Sequence, residues 1–113
     1  AYGHHEVATL LIENNAKINV PDNKGFTPLY CATEKGDENI VNTLLQHSAD
    51  PNLAKKNGWT PLFRACLNGN NKIAALLLEK GAHSKLPDED RWTPLSYACM
   101  SGHIETIKLL LSH

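Results

Sequence analysis

Thr27-Pro28-Leu29, Thr60-Pro61-Leu62 and Thr93-Pro94-Leu95 are three copies of one tripeptide set 33 residues apart. A strict period of this length marks a stack of repeated units rather than one closed core. The surrounding residues keep the same step. An alanine follows each leucine by three positions (Ala32, Ala65, Ala98), then comes a glycine (Gly36, Gly69, Gly102), with Gly3 one period earlier. After each glycine, apolar residues recur at i, i+1, i+4 and i+5: Val7/Ala8/Leu11/Ile12, Ile40/Val41/Leu44/Leu45 and Ile73/Ala74/Leu77/Leu78. The last copy is Ile107, Leu110 and Leu111, with Thr106 in the first place. This spacing predicts one buried face of a helix.

Local chemistry builds the rest of the unit. Thr27, Thr60 and Thr93 suit the N-cap position, and a proline just after the cap loses nothing by lacking an N–H. A short first helix is predicted over 28–35, closed by Gly36 in a left-handed conformation. A second helix is predicted over 39–47, and successive second helices stop at Asn15, Ser48 and Gly81. The polar stretch from Asp50-Pro51-Asn52 through Asn57-Gly58 reads as a turn or hairpin. Neither short helix buries its face alone, so the units must stack into a continuous core. The predicted fold is an all-α repeat solenoid of helix-turn-helix units joined by β-hairpin-like loops.

Asp22-Asn23-Lys24-Gly25-Phe26-Thr27-Pro28-Leu29 resembles the ankyrin repeat pattern D-x-x-G-x-T-P-L, which returns in Asn57-Gly58-Trp59-Thr60-Pro61-Leu62. The family's closing G-A-D-x-N is echoed by Gly81-Ala82 and Asp50-Pro51-Asn52. The resemblance covers the whole chain, read as a single domain over 1–113 with a partial unit at 1–21, units at 22–54 and 55–87, and a partial unit at 88–113. It implies L-shaped units in a curved solenoid that binds other proteins on a concave surface of hairpin tips and first helices. Two departures stand out. Arg91 occupies the turn position held by Gly25 and Gly58, where a Cβ costs roughly 1 kcal/mol at positive φ, so Arg91→Gly is expected to raise stability. Tyr30, Phe63 and Ser96 replace the histidine common in the family after Thr-Pro-Leu, so the usual side-chain hydrogen bond there is expected to be absent.

The 113 residues carry 11 Lys+Arg against 12 Asp+Glu, a net charge of -1. No cationic surplus exists to neutralise a row of phosphates or an anionic membrane, so neither nucleic acid nor membrane is expected as a partner. No apolar run approaches the roughly 20 residues of a spanning helix, and no secretory signal is visible. Three widely spaced cysteines, Cys31, Cys66 and Cys99, suit neither a disulfide framework nor a CxxC motif and point to an intracellular, reducing address in the cytoplasm or nucleus. A monomer is expected, with end-to-end association through open repeat faces as the competing state.

Catalysis needs converging groups, and residues of one phase in adjacent units stand about 10 Å apart, the distance between packed helices. No catalytic residue and no cofactor is expected. His4, His5, His47, His83, His103 and His113 fall in different phases and form no H-x-x-x-H or H-E-x-x-H motif, so no metal site is expected. His103, just after Gly102, reads as structural at the helix junction. The cysteines read as small buried fillers, Cys66 and Cys99 being beyond the roughly 7 Å Cα reach of a disulfide.

Phe26, Trp59 and Trp92 share one phase and predict an aromatic stripe on the hairpin and first-helix side. Such rings either anchor a partner or cover the next hairpin. Beside them vary Asn23, Lys24, Lys56, Asn57, Glu89 and Asp90 at the hairpin tips, and Glu34, Lys35, Leu67, Asn68, Met100 and Ser101 at the ends of the first helices. Lys55-Lys56 followed by Asp88-Glu89-Asp90 predicts a basic-to-acidic gradient that orients a partner. These residues form the expected protein- or peptide-binding surface of a non-catalytic scaffold. Alanine at both tryptophans is expected to weaken capture while leaving helicity intact. The alternatives are a regulatory module of a larger enzyme, channel or secreted effector, and recognition of a nucleotide by stacking between units. The latter is disfavoured, since neither a Gly-rich phosphate loop nor a lysine-plus-aromatic cluster is visible.

Overall fold

A computed structural model describes residues 18–55 and 57–113, and these contain six helices in three pairs. The first pair is α1 (Pro28–Lys35) and α2 (Glu38–Gln46), the second α3 (Pro61–Asn68) and α4 (Asn71–Glu79), the third α5 (Pro94–Ser101) and α6 (Ile104–Leu111). Each of α1, α3 and α5 starts with proline after an extended threonine and ends on a glycine at φ 72 to 75°. Thr27 Oγ1 accepts from the Tyr30 amide at 3.2 Å, while Thr60 makes no side-chain cap bond. Thr93 forms a reciprocal box with Ser96, whose hydroxyl accepts from the Thr93 amide at 3.2 Å. The side-chain hydrogen bond expected to be missing after Thr-Pro-Leu is therefore present in the third copy, supplied by serine.

The second helix of the first pair starts one residue before the expected 39 and ends at Gln46 rather than 47. Asp37 sets the start, its carboxylate accepting from the Ile40 amide at 3.1 Å. Asn70 does the same for Ile73 at 3.1 Å. At the other end, Ser48 turns the chain at φ 73°.

First helices pack on first helices and second on second, α1 to α3 to α5 and α2 to α4 to α6. Leu29, Val41, Leu44, Leu62, Ala65, Cys66, Ile73, Ala74 and Leu77 join one buried cluster that runs through all three pairs. The last pair departs from the expected face. Leu78 is 9% exposed, but Leu111, one period on, is 68% exposed. Cys66 is buried, and Cys99 is exposed, so the filler reading fails for Cys99. Leu62, Cys66, Ala74 and Leu78 are buried, whereas one period on Leu95 and Ile107 are half-buried and Cys99 and Leu111 exposed. Thr106 is buried, its hydroxyl bonded to the Asn71 side chain.

Two asparagines clamp successive units along one edge. The Asn19 amide donates to Ser48 O at 3.2 Å while its oxygen accepts from the Asp50 amide at 2.7 Å. Asn52 repeats this one period later, donating to Gly81 O at 3.0 Å and accepting from the His83 amide at 2.8 Å. The third place in the series is Lys85, a donor with no acceptor to offer.

A candidate protein-binding surface

The three hairpins are closed by the same bonds. Asp22 N donates to Phe26 O at 2.8 Å, Lys55 N to Trp59 O at 2.9 Å and Asp88 N to Trp92 O at 2.8 Å. These closures deliver Phe26, Trp59 and Trp92 to the starts of α1, α3 and α5, where they meet rings of the first helices. Phe26 lies 5.3 Å from Tyr30, Trp59 lies 6.0 Å from Phe63 and 5.0 Å from Tyr97, and Trp92 lies 5.2 Å from Tyr97. The expected stripe thus becomes a ribbon of six rings, to which Tyr30, Phe63 and Tyr97 contribute as much as the residues in phase.

Two charged residues bind the ribbon between units. The Lys55 ammonium sits 5.5 Å from the ring centre of Phe26, 5.9 Å from Tyr30 and 5.6 Å from Trp59. The lysine-plus-aromatic cluster that the sequence did not reveal is therefore present, assembled from two units, with the chain's own lysine over the rings. Asp88 holds the next step. Its Oδ2 accepts from Trp59 Nε1 at 3.0 Å and from the Tyr97 hydroxyl at 2.6 Å, and its Oδ1 from the Asp90 and Trp92 amides, both at 2.9 Å. Burial works against its charge, but the hydrogen bonds from Tyr97, Trp92, Trp59 and Asp90 outweigh it and hold the carboxyl below its ordinary range. Burial, and then the Asp88 carboxylate, push the Tyr97 phenol up. At 7% exposure Asp88 is an internal tie and not the solvated tip charge expected of it.

The other residues of the expected surface divide by what they touch. Asn23, Lys24, Glu34, Lys35, Asn68, Glu89, Asp90, Met100 and Ser101 are exposed. Glu34 faces Arg64 at 3.8 Å, and Asn68 donates to Glu34 O at 3.4 Å. Asn57 is half-buried, its side chain accepting from the Trp59 amide at 3.1 Å and its carbonyl from the Glu89 amide at 3.0 Å. Phe26, Trp59 and Leu67 are half-buried, whereas Trp92 is 40% and Met100 60% exposed. Lys56 lies outside the described residues, as do His4 and His5. His103 stands at the junction expected of it, its Nε2 3.0 Å from Leu67 O.

Among the described residues no group of three or more His, Cys, Asp or Glu side chains could hold a metal ion, and no helix is long and apolar enough to cross a membrane. Burial pushes the Cys66 thiol up to about 12, so it is protonated and a poor nucleophile. A groove of about 450 Å³ between α4 and α6, lined by Asn71, Lys72, Ala75, Glu105, Lys108, Leu109 and Ser112, lies on the second helices, away from the ribbon.

A family model for ankyrin repeats in three copies matches residues 1–55 and again residues 48–113. The chain belongs to the ankyrin repeat family. Ankyrin repeats generally act as protein–protein interaction modules and are typically non-catalytic. No curated protein matches the chain. The ribbon and the exposed ends of α1, α3 and α5 lie on the hairpin and first-helix side of the stack.

Proposed function

We propose that this ankyrin stack is a non-catalytic scaffold that binds a partner protein or peptide across its hairpin tips and first helices, over units bounded at 22–54, 55–87 and 88–113. The observation that carries the reading is the set of exposed side chains flanking the ribbon on the hairpin and first-helix side, among them Lys24, Glu34, Asn68, Glu89, Asp90 and Met100. Indole rings and an adaptable thioether on the same side of a stack have the chemistry of interface anchors. Trp59 serves the fold through Asp88, so the anchor role falls on Trp92 alone.

Partner capture by the wild-type chain, by Trp92→Ala/Met100→Ala and by Lys72→Ala/Lys108→Ala tests this. The first pair should weaken capture of a true partner by about 2 kcal/mol or more, and the second pair, in the groove between α4 and α6, should leave it unchanged. The reverse pattern would move the binding face to the second helices.

A further inference from the structure

Lys55 is held in place by the ribbon without having its hydrogen bonds satisfied. Its Nζ stands 5.5 Å from the ring centre of Phe26, 5.9 Å from Tyr30 and 5.6 Å from Trp59. Ring faces attract the charge but carry no lone pair in their plane of approach, so the N–H donors of an ammonium are left over. Among the described residues no carboxylate takes them up, the ion pairs there being Arg64–Glu34 and Lys108–Glu105. The backbone of Lys55 is fixed as well, its N–H donating to Trp59 O and its carbonyl accepting from the Gly58 amide, both at 2.9 Å. A freely moving surface lysine surrenders rotamer freedom when it forms an ion pair, which is why such pairs contribute little. Lys55, half-buried and held by rings from two units, has already given up that freedom. A fixed ammonium with open donors is a preorganised receptor for a carboxylate.

The surrounding charge has the same sign. The hairpins and first helices of the first two pairs, residues 22–35 and 55–68, carry Lys24, Lys35, Lys55, Lys56 and Arg64 against Asp22 and Glu34. Both of these carboxylates are engaged: Asp22 Oδ1 accepts from the Lys24 and Phe26 amides at 2.9 Å, and Glu34 faces Arg64 at 3.8 Å. The Arg64 guanidinium also lies beside the Tyr30 hydroxyl, so Tyr30 has one cation at its ring and another at its oxygen. An anion approaching this part of the face is drawn in, and a cation is turned away.

We propose that Lys55, pinned by Phe26, Tyr30 and Trp59, receives a carboxylate from an acidic segment of a partner protein. This rests on the hairpin and first-helix side being the partner-binding face, and it adds the partner's charge and the cation that meets it.

The test uses hexaglutamate as probe and hexalysine as its opposite, at one low ionic strength, with Kd from calorimetry and the Trp59 ring signals followed by NMR. Hexaglutamate should shift those signals saturably. Lys55→Met should raise its Kd about tenfold or more, with far-UV helicity retained, while Lys55→Arg, which keeps a cation able to stack on the rings, should hold Kd within about twofold. Lys72→Met, on the second helices, should leave Kd unchanged. Hexaglutamate that does not bind, binding that survives Lys55→Met, an equal loss on Lys72→Met, or hexalysine binding at Trp59 would each overturn the proposal. A natural partner that is lost on Trp92→Ala/Met100→Ala but indifferent to Lys55→Met would overturn the role of Lys55 and keep the binding face. A partner indifferent to both would overturn the face itself.

Discussion

Arg91 holds φ at 68° in the turn where its counterparts are Gly25 at 87° and Gly58 at 86°. The expected conformation is therefore adopted, Cβ included, and Arg91→Gly should raise the unfolding free energy by about 1 kcal/mol in denaturant titrations. Gly58 itself has a second reason to stay small, since a Cβ there would meet Asp88 Cα at 3.2 Å in the next hairpin. Asp88 offers a pH signature. Its carboxyl is held below the ordinary 3.8, so its contribution is in place above that value and drains away as pH falls through the lower folded value. Asp88→Asn should be less stable than wild type at neutral pH, and the gap in melting temperature should close as pH drops below 3.8. Turn and cap residues such as Thr27, Gly36 and Arg91 were legible in the sequence because they act on backbone two or three positions away. Asp88 was misread as a surface charge because its partners Trp59 and Tyr97 come from two different units, and no local pattern announces them.

At the scale of the helix pair, the junction glycines share φ but not surroundings. A Cβ at Gly102 meets nothing within 4 Å, whereas at Gly69 it would stand 2.5 Å from the His103 ring. Gly102→Ala should therefore cost about 1 kcal/mol from backbone conformation alone. Gly69→Ala should cost more, because His103 must also give up its place against Leu67 O. A double-mutant cycle with His103→Ala should recover that excess. The helices themselves were readable nearly residue for residue, since cap, proline and glycine all agree with the apolar spacing. The ribbon was half readable. Phe26, Trp59 and Trp92 stand in phase, but Tyr97 lines up with Arg64 and Cys31 in the sequence and joins the rings only through the stack.

Across the whole molecule, stability is a sum of unit and interface contributions. Cys66 and Leu78 of the second pair are buried, whereas Cys99 and Leu111, their counterparts in the third, are exposed. Amide hydrogen exchange should accordingly show α5 and α6 opening at lower free energy than α3 and α4, with α6 the least protected. Equal protection in all three pairs would mean that the stack unfolds as one block. The alternation of Lys55 and Asp88 has a further consequence for how such an array can change through inheritance. A recombination that excised residues 55–87 would preserve the period, the caps and every helix signal. It would also set Asp88 against Phe26, which has no N–H to give, in the place where Lys55 now sits over the ring. The units look interchangeable by their spacing, yet the hairpins of Lys55 and Asp88 each carry a charge suited to the ring before them, so their order is itself inherited information.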